Sequence, residues 1–122
     1  MALGSGGTAA GLVAGLALGG LDAEVVGVRV APTWLANLPR VRSLARRALA
    51  LWGATAHAGR LRVDQGWFRG GYGCPDPEVE RACALGRDLG LPLETTYTAR
   101  AFGACLEQQG AGPVLFLQTA SA

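Results

Sequence analysis

Gly4-Ser5-Gly6-Gly7-Thr8 stands directly ahead of an apolar segment, Ala9 to Leu18. Glycine lets a backbone turn sharply and approach a ligand closely, and the unpaired amides and positive dipole end of a following helix favour an anion. The loop is therefore either a phosphate cradle or a glycine-rich turn that merely joins a strand to a buried helix. Met1 to Leu3 is long enough only for the tail of a strand, whereas such a turn ordinarily follows a whole one. The sequence thus predicts a single α/β domain, residues 1–122, truncated at its N-terminus.

Working outward, Ala9 to Leu18 is apolar on every face and ends in Gly19-Gly20, which predicts a buried helix with a glycine stop. With only the tail of a first strand beside it, an apolar face such as Leu12, Val13 and Leu16 is expected to be exposed. Glu24 to Val30 is valine-rich and suits an interior parallel strand. From Trp34 to Trp52 the residues Leu38, Val41, Ala45, Ala48, Leu49 and Trp52 recur at helical spacing. Arg40, Arg42, Arg46 and Arg47 fall on the other faces, as the solvated side of an amphipathic helix rather than a nucleic-acid patch. Leu61 to Val63 suits a short strand. In the loop Trp67-Phe68-Arg69-Gly70-Gly71-Tyr72-Gly73-Cys74-Pro75 the rings either face a cavity or plug the domain edge.

Asp76-Pro77-Glu78 has the cap, first-turn proline and acid of a helix start, with Val79, Ala82, Cys83, Gly86 and Leu89 inward and Gly90 as the stop. Leu93 to Tyr97 is expected as a strand, Ala99 to Gln108 as a helix, and Pro113 to Gln118 as a buried strand emptying into Thr119. Strands alternating with helices give an α/β fold of three layers, a mainly parallel sheet flanked by helices, whose ligands gather at the carboxyl ends of strands. Ser5, Tyr97 and Thr119 would all follow such ends. That convergence favours the cradle over the plain turn.

Composition narrows the chemistry. The net charge of +2 implies no nucleic-acid partner, and 19 glycines in 122 residues fall into no repeat. All 11 positive side chains are arginine. A guanidinium stays protonated and cannot attack a carbonyl, so any imine chemistry must borrow a lysine from elsewhere. Cys74, Cys83 and Cys105, spaced 9 and 22 apart, match no zinc pattern, and their odd number argues against a closed disulfide framework. His57, in a run of small residues, is incidental, and no metal site is expected. Met1-Ala2-Leu3 lacks the basic start of a secretory signal, and the glycine-interrupted segment after it is too short to span a membrane; a cytoplasmic protein with reduced thiols is expected.

Gly4-Ser5-Gly6-Gly7-Thr8, Gly71-Tyr72-Gly73, Tyr97-Thr98 and Val114-Leu115-Phe116-Leu117-Gln118-Thr119, in this order, resemble the C-terminal portion of the 1-aminocyclopropane-1-carboxylate deaminase and D-cysteine desulfhydrase family. The resemblance covers nearly the whole chain but only part of a family member. It implies a partial tryptophan-synthase-β-like (fold type II) domain and a pyridoxal 5'-phosphate enzyme, a deaminase or lyase acting on a small amino acid. It places the cofactor phosphate against Gly4, Ser5, Gly6, Gly7 and Thr8, Thr119 near the pyridine nitrogen, and Tyr72 and Tyr97 beside the substrate as catalytic residues. The family's Schiff-base lysine lies upstream, in a half that this sequence does not contain, and the family's assembly suggests a homodimer. Where members typically continue His-Thr-Gly-Gly, this chain has Gln118-Thr119-Ala120-Ser121.

Two other readings stand beside it. A Rossmann-type dinucleotide module would need an acid at the end of the second strand, where Val30-Ala31-Pro32 stands. A degenerate, non-catalytic module that binds a phosphate ligand is suggested by the missing lysine and by Ala120-Ser121.

Overall fold

The chain begins with β1 (Ala2–Leu3), which runs through the glycine loop into α1 (Gly7–Leu18) and then β2 (Val25–Arg29). This computed structural model describes residues 1–55, 57, 59–108, 110 and 112–119. There follow α2 (Leu38–Leu51), β3 (Leu61–Asp64), α3 (Pro77–Asp88) and α4 (Thr98–Glu107). The strands form one parallel sheet in the order β1-β2-β3, with Ala2 opposite Val28, and Val25 to Val28 opposite Leu61 to Asp64. An α/β sheet flanked by helices is thus what the alternation of apolar runs produces.

Side chains along a strand point alternately to the two faces, and the two cores follow that period. Ala2, Val28 and Val30 join Val79, Ala82 and Cys83 of α3 and Ala99, Ala101 and Phe102 of α4 on one side. Leu3 and Val25 join Ala9, Ala10 and Val13 of α1 and Val41 and Ala45 of α2 on the other. The sheet is therefore the middle of three layers.

Local signals set most helix ends. Asn37 caps α2, its Oδ1 accepting from the Arg40 amide at 2.9 Å, and Asp76 caps α3, accepting from Glu78 and Val79 at 2.9 and 3.2 Å. Gly90 closes α3 with φ +76°, a conformation that costs little only for glycine. Arg42, Arg46 and Arg47 are exposed, as an amphipathic α2 requires.

Other expectations give way. Leu93 to Tyr97 is a turn and not a strand, because the Glu94 carboxylate collects the amides that follow it. Pro113 to Gln118 has no regular secondary structure and joins no ladder: Leu115 is 86% exposed, while Phe116 packs edge-on against Phe102 with ring centroids 5.3 Å apart. Trp52 and Leu89, expected inward, are 79% and 62% exposed, since each lies at the C-cap of its helix, beyond the reach of the sheet. In α1 the buried side is Ala9, Ala10, Val13 and Ala14, whereas Gly11, Gly15 and Leu18 are exposed, so the helix is covered on one side and not all round. Val13 is fully buried, and Leu12 and Leu16 pack against the same core; α2 covers the face that the sequence left open.

Candidate functional site

The glycine loop owes its shape to one residue. Gly6 has φ +91°, and a Cβ there would stand 2.9 Å from Cγ2 of Val41 on α2, so both the backbone and the packing demand glycine. Gly4 and Gly7 differ. Neither has a positive φ, and a Cβ on either would meet nothing within 4 Å. No contact in the fold demands glycine at these two positions, and the room beside them is open.

That room is a cavity of about 170 Å³ walled by the loop from Gly4 to Thr8, by Tyr97 and by Thr119. The first turn of α1 faces it with no side-chain cap and no acidic residue, and its first internal bond runs from the Ala10 amide to the Gly6 carbonyl at 2.9 Å. The preceding amides of such a turn have no acceptor within the helix. A small polar hollow, uncapped amides and side-chain-free backbone suit a phosphate group. Thr119 arrives through the segment from Pro113, which Gln118 ties to the Pro92 carbonyl at 3.0 Å. Only the loop itself follows a strand end; Tyr97 comes from the start of α4. Ala120 and Ser121 lie outside the described residues.

Tyr72 is not part of that wall but reaches it through Tyr97. The two phenol oxygens are hydrogen-bonded, and the rings meet edge-to-face with centroids 6.0 Å apart at 75°. The Tyr72 bond, followed by burial and the neighbouring Tyr72 and Glu94 charges, pushes the Tyr97 phenol above its ordinary ionisation. Tyr97 stays a neutral donor and acceptor across the usual range. The aromatic loop thus divides: Trp67 is buried in a notch over Gly103, Phe68 lies under the Arg29 guanidinium at 3.9 Å, and Tyr72 faces outward, 56% exposed.

Glu94 and Arg100 escaped the sequence reading, although both shape the site. One oxygen of Glu94 accepts from the amides of Tyr97 and Thr98 at 2.8 and 2.7 Å, and the other from Thr96 at 2.7 Å. The anion sits against the positive end of α4 and aims Tyr97. Glu-x-x-x-Thr ahead of an apolar run was the available signal. Burial alone would raise this carboxyl, but the amide bonds and the Thr98 hydroxyl outweigh it and hold the group below its ordinary value. A depressed acid contributes stability that is complete above the unfolded value of about 4.3 and is lost as pH falls through the folded one. Urea midpoints should therefore drop on acidification below about pH 4.3, and Glu94→Gln should flatten that part of the profile.

Arg100 is 1% exposed, and its guanidinium is held by carbonyls: Trp67 at 2.7 Å, Arg69 at 3.2 Å, Cys74 at 2.7 Å and Thr95 at 3.1 Å. No local periodicity announces such a residue. A larger hollow, about 610 Å³, lies by the start of α2 and β3, away from the tyrosines, and its Arg62 is already engaged by Glu24 at 3.6 Å and Gln108 at 3.1 Å. Among the described residues no group of three or more His, Cys, Asp or Glu could hold a metal ion, and no helix is long and apolar enough to cross a membrane.

No family model matches the chain. Among solved structures it is similar to a crystal structure described as that of the ACC deaminase homologue, at a TM-score of 0.74 and 28% identity over 88% of this chain. The match takes in 33% of that other chain, so this sequence spans about a third of its length and shares its α/β architecture over that span.

Proposed function

We propose that this chain is one part of a pyridoxal-phosphate-dependent deaminase or lyase for a small amino acid, a partial domain that holds the cofactor phosphate and presents two tyrosines to the substrate. The observation that carries the proposal is the single hollow in which uncapped amides, open glycines, Tyr97 and Thr119 meet, in a fold like that of an ACC deaminase homologue. Backbone amides of Gly6 to Thr8 and the hydroxyls of Ser5 and Thr8 would hold the phosphate. Thr119, by resemblance, would lie near the pyridine nitrogen, where a hydroxyl would not keep that nitrogen protonated as a carboxylate would. When bound, the cofactor supplies an electron sink for the pair released at the amino acid's α-carbon. Tyr97, hydrogen-bonded to Tyr72, would donate a hydrogen bond to the substrate carboxylate or pass a proton between the two phenols. The lysine that such chemistry needs is supplied by another segment, because this sequence has none. A second reading, ligand binding without turnover, rests on that same missing lysine.

The test is the loop. Gly6→Val would disturb Val41 as well as the cradle, so Gly4→Val and Gly7→Val separate binding from folding. Thr8→Ala removes one hydroxyl donor. A hydrogen bond to a charged group is worth about 1.5 to 3 kcal/mol, so each variant should weaken binding of phosphate or pyridoxal phosphate by about tenfold or more with the melting temperature unchanged. Equal affinity in all three, measured by calorimetric titration, would remove the cradle.

A further inference from the structure

Tyr72 sits in a glycine-rich turn closed by the Gly71 amide on the Phe68 carbonyl at 3.1 Å and by the Cys74 amide on the Gly71 carbonyl at 3.4 Å. Gly70, Gly71 and Gly73 take φ values of +67°, +117° and +66°, and three glycines around one tyrosine make a flexible support. Upstream the loop is fixed: Trp67 fills the Gly103 notch and bonds Glu107 at 3.0 Å, and Arg69 pairs with Glu78 at 2.6 Å. The second of these ties brackets Tyr72 in sequence, but neither touches the segment that carries Tyr97. The Arg100 guanidinium touches both segments, for it grips the Trp67 and Arg69 carbonyls before Tyr72 and the Cys74 carbonyl after it. Its Nε meanwhile bonds the Thr95 carbonyl, two residues before Tyr97.

One planar cation thus spans both segments that bring the phenols together. A buried guanidinium bound to four carbonyls, with no carboxylate among its partners in the described residues, is a costly choice for a helix that could have used an apolar side chain. The fork geometry explains it, because no other side chain can address several carbonyls in fixed directions at once.

We infer that Arg100 is a positioning residue whose buried guanidinium, by clamping the carbonyls of Trp67, Arg69, Cys74 and Thr95, sets the Tyr72 phenol against the Tyr97 phenol. The inference rests on the proposed function only for the part these phenols play in a reaction. The pairing itself is independent of any cofactor.

The sequence contains two tyrosines, and both belong to this pair, so the ultraviolet titration of tyrosinate in the 122-residue chain reports on nothing else. In the native chain one phenol ionises above the ordinary value of 10.0, because of its partner. Tyr72→Phe is the reference for a broken pair. Arg100→Met, which keeps the length of the side chain and removes the donors, should bring the upper titration step down toward the Tyr72→Phe profile while circular dichroism still shows the helices. Arg100→Lys keeps the charge without the fork and should fall between the two. If Arg100→Met does not fold, Arg100→Lys decides alone. Any folded Arg100 variant with the native titration curve would overturn the inference. Because these measurements need neither pyridoxal phosphate nor an amino acid, their failure is distinct from a failure of the loop variants to lose phosphate.

Discussion

With pyridoxal phosphate and a small amino acid present, the 122-residue chain by itself is expected to release ammonia and keto acid no faster than the free cofactor does. Covalent catalysis of this type draws on an amine that attacks the cofactor carbonyl and on a base that moves the substrate's α-proton. Eleven arginines can do neither, and the two phenols can only bind, orient and relay. Supplying a lysine-bearing α/β segment, fused or co-expressed, should raise turnover by many orders of magnitude, since enzymes exceed uncatalysed rates by at least about a millionfold. Tyr97→Phe in that reconstituted protein should cost about a hundredfold or more in kcat, the usual worth of a positioned proton donor. Turnover by the chain alone, well above free cofactor, would show that it is no mere part of an enzyme. A reconstituted protein that binds phosphate without turnover would favour the ligand-binding module instead.

Trp67→Ala is expected to be the most damaging single substitution for stability. The indole is 5% exposed and occupies a notch so close that a Cβ on Gly103 would lie 2.1 Å from its ring. Emptying such a site loses both transfer energy and packing, about 3 to 5 kcal/mol, against a total of about 5 to 15 kcal/mol for a domain. It also frees Glu107 from its bond to the indole N–H. The converse change fails for the opposite reason. Gly103→Ala favours the helix by about 1 kcal/mol in propensity, yet forces a methyl into a rigid ring pinned at its far end, which costs more. Urea unfolding should place both variants below the native chain, with Trp67→Ala the lower. Trp67 anchors the loop that carries Tyr72, so the damage extends to the phenol pair.

Local rules made much of this molecule legible in advance. Asp76-Pro77-Glu78 started α3 and Gly90 ended it, because caps, prolines and positive-φ glycines act on their own immediate backbone. The valine run became β2, and the arginines of α2 went to solvent, because apolar period and burial are nearly the same information. The glycine loop was visible for the same reason, down to the expectation that it opens a helix. What escaped depends on residues distant in sequence or on the exact end of an element. Leu93 to Tyr97 has the composition of a strand but turns on one carboxylate, Glu94. Pro113 to Gln118 has a strand's composition too, yet pairs with no strand in the described structure, since a ladder needs a neighbour as well as a sequence. Arg100 is charged and nevertheless buried, which only the convergence of carbonyls from 26 to 33 residues away makes tolerable. Composition and spacing were enough for the alternation of strand and helix from β1 to α3, for the glycine loop and for the want of a lysine. The meeting of Tyr97 and Thr119 with that loop was expected from strand ends, but the fold delivers Tyr97 from the start of α4 and Thr119 from a segment in no ladder, because long-range contacts and not local composition fix both segments.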